Sequence, residues 1–140
     1  MADVKEYVHT VQYYETDRMG ITHHSNYVRW MEEARVDFLS QIGWDYARLE
    51  ESGIISPVLN LSCDFKKTTT FSDKIIIKAW IKEFNGVKLK FGYEMKNEEG
   101  TVVFTATSMH AFLNKEGRPV RMKQDFPELF ETIENLIEKE

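Results

Sequence analysis

The stretch that decides the fold is Tyr13 to Leu39, "YYETDRMGITHHSNYVRWMEEARVDFL". From Asn26 onward, Tyr27, Trp30, Met31, Ala34, Phe38 and Leu39 recur at steps of three and four, and Ile42 continues the row. That spacing places a wide apolar stripe on one face of a helix ending near Gly43, so the helix is expected to be deeply buried. Ahead of it stand Asp17, Gly20, His23 and His24 among several tyrosines. Polar residues at a helix start can serve as a cap or as a catalytic constellation, and the rest of the chain has to distinguish the two.

Upstream, "VKEYVHTVQY", Val4 to Tyr13, alternates Val4, Glu6 and Val8 with Lys5, Tyr7, His9 and Val11, the period of a strand with a mixed face. Downstream, "YARLEESG" is expected to form a short helix or turn closed by Gly53. "IISPVLNLSCDFKK" then reads as a strand, and Pro57 places it at an edge or a strand start. "DKIIIKAWIKEF" and "VKLKFGYEM" flank Asn85-Gly86, a pair suited to a type I′ hairpin because both residues tolerate positive φ. Val87, Leu89, Phe91, Tyr93 and Met95 share one face without interruption, which is expected to cover the core. "TVVFTATSMHAFLN" makes a last strand with two largely apolar or small faces, and "PELFETIENLIEKE" an amphipathic helix on the outside. The predicted class is α+β, an antiparallel sheet wrapped around the long helix. Sheet edges left open predict a symmetric dimer that extends the sheet.

At 140 residues and net charge −5, the chain is expected to be one domain, residues 1–140, with no nucleic-acid partner. No run of 18 apolar residues and no secretory leader occur, so membrane insertion is not expected. Cys63 is the single cysteine; it rules out an intrachain disulfide, points to the cytoplasm and reads as a small core residue.

The segment "YYETDRMGITHHSNYVRWMEEAR" resembles the hotdog-fold thioesterases of the 4-hydroxybenzoyl-CoA thioesterase family, whose signature runs Y-x-D/E-T/C-D-x-x-G, then a Tyr seven residues on, then an apolar helix. The resemblance spans about Lys5 to Asn114, and His24 matches the His of the bacterial short-chain acyl-CoA thioesterase branch. Where relatives often carry Arg-Pro-Ala before Gly-Asp, this chain has "KTTTFSD", with Ser72 before Asp73, a departure expected to lie outside the chemistry. The resemblance implies an acyl-CoA thioesterase working as a dimer or a dimer of dimers (a homotetramer), with acyl-CoA as its substrate and no cofactor.

Thioester hydrolysis needs an activated water or a carboxylate nucleophile, and donors where the carbonyl oxygen becomes negative. By resemblance, Asp17 is the nucleophile or general base, and the main-chain amide at His24 polarises the carbonyl. The amides of a first helical turn, here near His24 and Ser25, lack partners four residues back and carry the positive end of the helix dipole. The ordinary use of such an Asp is an Asx-turn or a helix cap. Gly20 is expected to take positive φ or to admit a ligand, and Tyr13 to line the cleft; Tyr27 has the spacing of a core residue and, beside the motif, is a candidate to line the cleft or to hydrogen-bond Asp17. Glu32, along the helix from His24, is the reserve carboxylate, its bland alternative a charge among Arg29 and Glu33. Lys88 and Lys90 on a strand, with Lys66 and Lys67 on a loop, are candidates for the coenzyme A phosphates or simply solubilising charges. His23 and His24 are expected to point apart and to bind no metal.

Two other functions fit part of this pattern. A non-catalytic acyl-CoA-binding hotdog module would keep the fold without the reaction. An enoyl-CoA hydratase or dehydratase would pair an Asp with a His about five residues on, a gap that "DRMGITHH" does not match.

Overall fold

The computed structural model describes residues 4–137. Strand β1 (Tyr7–Thr10) leads through a 3-10 turn (Tyr13–Glu15) to helix α1 (Ser25–Gln41) and the short α2 (Tyr46–Glu51). Four strands follow, β2 (Val58–Phe65), β3 (Lys74–Phe84), β4 (Lys88–Lys96) and β5 (Val102–Ala111), and then α3 (Met122–Asp125) and α4 (Pro127–Leu136). The last three residues of the expected C-terminal helix lie outside the described residues.

All neighbouring strands are antiparallel, in the order β1-β3-β4-β5-β2. The β3-β4-β5 meander therefore forms the centre, and β1 and β2 form the edges. Leu89, Phe91, Tyr93 and Met95 of β4 are all buried, as their alternation predicts, and so are Phe104, Ala106, Ser108 and His110 opposite them on β5. Against this face lies α1, whose Trp30 and Met31 have no exposed surface. Full burial of side chains this size stabilises the fold by roughly 1.5–3 kcal/mol each.

Several local expectations are corrected. The first strand is four residues long, because Gln12 to Glu15 turn into a capping box in which the Glu15 carboxylate accepts from the Gln12 amide. At the hairpin only Gly86 has positive φ, so the two-position requirement of a type I′ turn is not met. Asn85 instead turns its side-chain oxygen onto the amides of Val87 and Lys88. Cys63 is half-buried on an edge strand rather than deep in the core, and burial raises its thiol pKa, with Asp64 adding to the shift.

Strand β2 is the exception to the burial pattern. Leu61, Cys63 and Phe65 pair with Ser108, Ala106 and Phe104, so they share the inner face, yet Leu61 remains 40% and Phe65 54% exposed. The inner face thus runs on past the cover that α1 provides. No helix among the described residues is long and apolar enough to cross a membrane.

Candidate active site

The Asp17 loop is a tight reversal. Thr16 pairs with Thr22, the Asp17 amide donates to the Ile21 carbonyl, and the Gly20 amide donates to the Asp17 carbonyl. Gly20 takes φ +78°, and a Cβ there would meet nothing within 4 Å, so the glycine serves the turn and not a close contact within the chain. Asp17 Oδ1 accepts from the Met19 amide at 2.8 Å, the Asx-turn that local chemistry predicts. The Asx-turn occupies one oxygen of the carboxylate of the half-exposed Asp17.

Helix α1 begins at His24 without a side-chain cap bond to its first turn from that residue. His23 fills the role: its carbonyl accepts from the Asn26 amide, and its Nδ1 accepts from the Ser25 amide at 3.2 Å. The Ser25 amide, expected to be free, is therefore engaged. His23 N–H donates to the Glu15 carbonyl and Tyr27 N–H to the His24 carbonyl, which leaves the His24 amide as the one main-chain donor from 23 to 27 without an acceptor among the described residues. The two imidazoles stack with centroids 4.3 Å apart rather than pointing away from each other. No group of three metal-ligating side chains converges among the described residues.

Beside that amide is a cavity of about 270 Å³ lined by Ile21, Thr22, His24, Tyr27, Phe65, Lys66, Lys67 and Thr68. One wall is aromatic: Tyr27 lies edge-on to Phe65 at 5.5 Å and stacked on Phe104 at 4.9 Å. The Tyr27 hydroxyl meets Thr69 at 2.9 Å and not Asp17, and the Thr69 hydroxyl meets that of Thr22 at 2.6 Å. Burial raises the Tyr27 pKa, with the Thr69 and Thr22 hydrogen bonds pulling against it.

The "KTTTFSD" loop, expected to lie outside the chemistry, in fact forms one side of this cavity. The Thr70 hydroxyl donates to the Gly20 carbonyl and the Thr22 amide to the Thr69 carbonyl, so the loop clamps the Asp17 turn in place. Ser72 sits at φ +70°, a left-handed conformation that glycine, the residue the family resemblance implies before the Asp, would take without strain.

Other candidates are dispersed. Tyr13 is 77% exposed and packs edge-on to Phe71, away from the cavity lining. Glu32 lines a separate groove with Tyr7, Arg29 and Glu33, and the Glu33 carboxylate turns to Tyr7 and His9 instead of Arg29. Lys90 pairs with Met109 and Lys88 with Ala111, whereas Phe65 pairs with Phe104; five and seven strand positions separate them from the cavity wall, roughly 17–24 Å. Lys66 and Lys67 are the basic side chains that reach the rim. A larger cleft of about 820 Å³ runs along β1 past Tyr7, Asp37, Gln41 and Leu136, remote from the unpartnered amide.

Sequence reasoning missed the support beneath the loop. The Glu15 carboxylate, 4% exposed, accepts from His9 Nε2, Trp30 Nε1 and the Gln12 amide, each at 2.8 Å. Burial pushes its pKa up, but these bonds outweigh burial and the pKa ends below the ordinary value. His9 Nδ1 faces Glu33 at 3.0 Å, and Tyr7, donating to Glu33, has its pKa raised to about 12 by burial and that carboxylate. The inward alternation of Tyr7 and His9 on β1 was the available signal.

The profile of the Thioesterase-like superfamily matches residues 11–130, most of the chain and every residue that lines the His24 cavity. The chain belongs to that superfamily. Within the Thioesterase-like superfamily it is 35% identical over 119 residues to YneP of Bacillus subtilis, a protein provisionally named an acyl-CoA thioesterase, covering 84% of this chain and 86% of that one. The 1,4-dihydroxy-2-naphthoyl-CoA hydrolase of Thermosynechococcus vestitus is 27% identical over 111 residues, 79% of this chain and 76% of its own. The crystal structure of a DHNA-CoA thioesterase from Staphylococcus aureus superposes with a TM-score of 0.88 at 32% identity, over 94% of this chain and 89% of that one. The α+β hotdog architecture expected from the sequence is the observed one.

Proposed function

We propose that the chain hydrolyses acyl-CoA thioesters to a carboxylic acid and free coenzyme A at the cavity beside His24. The observation that carries this reading is the His24 amide, without an acceptor among the described residues at the start of a buried helix, in a residue that lines a cavity together with Ile21 and Thr22 from the end of the Asp17 turn. A carbonyl oxygen accepting from that N–H gains stabilisation as it becomes negative, since the helix dipole adds to the hydrogen bond. Asp17 supplies the attack. As general base it takes a proton from water, whose oxygen then bonds to the carbonyl carbon; as nucleophile it forms an anhydride that water opens. In either case the C–S bond breaks and coenzyme A departs as the thiolate.

The aromatic wall of Tyr27 and Phe65 suits the acyl group, and Lys66 and Lys67 at the rim suit the phosphates of coenzyme A. Lys88 and Lys90 serve those phosphates only if a second copy brings them near. A homodimer is part of the proposal: the open edge and uncovered inner face of β2 are what a second β2 and a second α1 would complete. A cytoplasmic setting fits the single, partly buried thiol.

The test is Asp17→Asn. Thiol release from a panel of short, branched and aromatic acyl-CoA substrates is expected to fall by at least a hundredfold while the melting temperature and acyl-CoA affinity change little. Wild-type protein that binds acyl-CoA in calorimetry but releases no thiol would instead support a binding module, and loss of enoyl absorbance without thiol release a hydratase.

A further inference from the structure

We infer that Glu15 is a positioning residue for the hydrolysis, anchoring the Asp17 turn and the His24 amide to one rigid base. The inference rests on the proposed function, because it concerns the two groups assigned there.

Glu15 is held from both ends of its structure. Its side chain receives Trp30 Nε1 on Oε2, and His9 Nε2 and the Gln12 amide on Oε1, each at 2.8 Å. Its main-chain carbonyl receives the His23 amide at 2.8 Å and Asn26 Nδ2 at 2.9 Å. One buried residue thus joins β1, the 3-10 turn and two successive turns of α1. Asp17 follows it by two residues, and His24 lies between the two groups that its carbonyl holds, His23 and Asn26. Moving Glu15 moves the attacking carboxylate and the oxyanion donor relative to each other.

The side chain is suited to the task as an anion. Three donors converge on two carboxylate oxygens, an arrangement a carboxylate satisfies and an amide cannot, since one amide terminus carries hydrogens of its own. His9 is braced in turn by Glu33, which also accepts from the Tyr7 hydroxyl at 2.7 Å. Because a misplacement of about 1 Å at reacting groups costs on the order of 100-fold in rate, loosening the base acts on turnover more than on binding.

Glu15→Gln keeps the shape and sets an NH2 against a donor. Expected is a tenfold to hundredfold lower kcat with KM within threefold of wild type, and a displaced indole N–H resonance for Trp30, assigned with Trp30→Phe. Since Glu15 acts by setting Asp17 against the His24 amide, Glu15→Gln should cost clearly less in an Asp17→Asn background than in the wild type, where both groups are present to be misaligned. If Glu15→Gln is too unstable to assay, Glu15→Asp, which keeps the charge on a shorter arm, should show the same split in milder form. A folded Glu15→Gln enzyme with kcat within threefold of wild type overturns the positioning role, as does a full multiplicative loss in the double variant. An active Asp17→Asn enzyme overturns the catalytic assignment first, and the positioning role with it, so the two failures are told apart.

Discussion

His110 lies 2% exposed at the end of a buried chain in which Arg35 donates to Tyr93, Tyr93 meets Ser108 at 2.6 Å and Ser108 meets His110 Nε2 at 2.6 Å. Burial, with the Arg35 charge adding to it, lowers the His110 pKa from 6.5 to about 4. The unfolded chain therefore binds a proton that the folded chain refuses, and stability present above pH 6.5 is lost as the pH falls toward about 4. The full loss is about 3 kcal/mol. Urea midpoints measured from pH 7 to pH 4.5 should decline, and His110→Gln should flatten that decline; the depressed Glu15 carboxyl contributes its own loss only at still lower pH. A single side chain's identity is plain from the sequence, but its charge state is set by who surrounds it. Asp17 shows the same division: the Asx-turn was legible locally, whereas the free donor at His24 exists because His23, Glu15 and the helix claim every neighbouring amide.

Among the elements, periodicity carried furthest. The α1 stripe and the inner face of β4 are buried as their spacing demands, because a helix or strand has one geometry and its apolar face has one way to leave water. The ends of elements carried least, as the shortened β1 and the Asn85-Gly86 turn show; there a side-chain hydrogen bond competes with the main-chain pattern. Gly92 marks a constraint that spacing does not reveal. It pairs with Trp80 across β3 and β4, and a Cβ there would lie 2.6 Å from two ring atoms of that indole. Gly92→Ala is expected to lower stability by roughly 1–3 kcal/mol in urea denaturation, and to cost far less in a Trp80→Ala background, where the ring no longer has to move. The "KTTTFSD" loop lines the cavity for a related reason. Beyond Lys67 its residues carry no local sign of the cavity, and they meet it because Thr69 and Thr70 reach Thr22, Tyr27 and Gly20 from 42 to 50 positions away.

At the scale of the whole molecule, β2 is the strand whose inner face is left uncovered. Leu61 and Phe65 continue the apolar inner face, and Phe65 is also a wall of the proposed cavity. A second copy pairing along this edge would close the sheet edge and the pocket wall together. Leu61→Lys should therefore halve the mass measured by light scattering at micromolar concentration and reduce thiol release along with it; a wild-type chain that is monomeric and fully active would remove the dimer from the proposal.

By itself the sequence determined the α+β class, the buried helix, the meander and the turn that presents Asp17, since each depends on local propensity and on the spacing of apolar residues. Tertiary structure alone decided which main-chain donor stays free, which lysines meet the cavity, that Glu15 holds the site from beneath, and that His110 is kept neutral. The physical reason is that hydrogen-bond partners and burial are properties of positions in space, and residues far apart in the chain supply them.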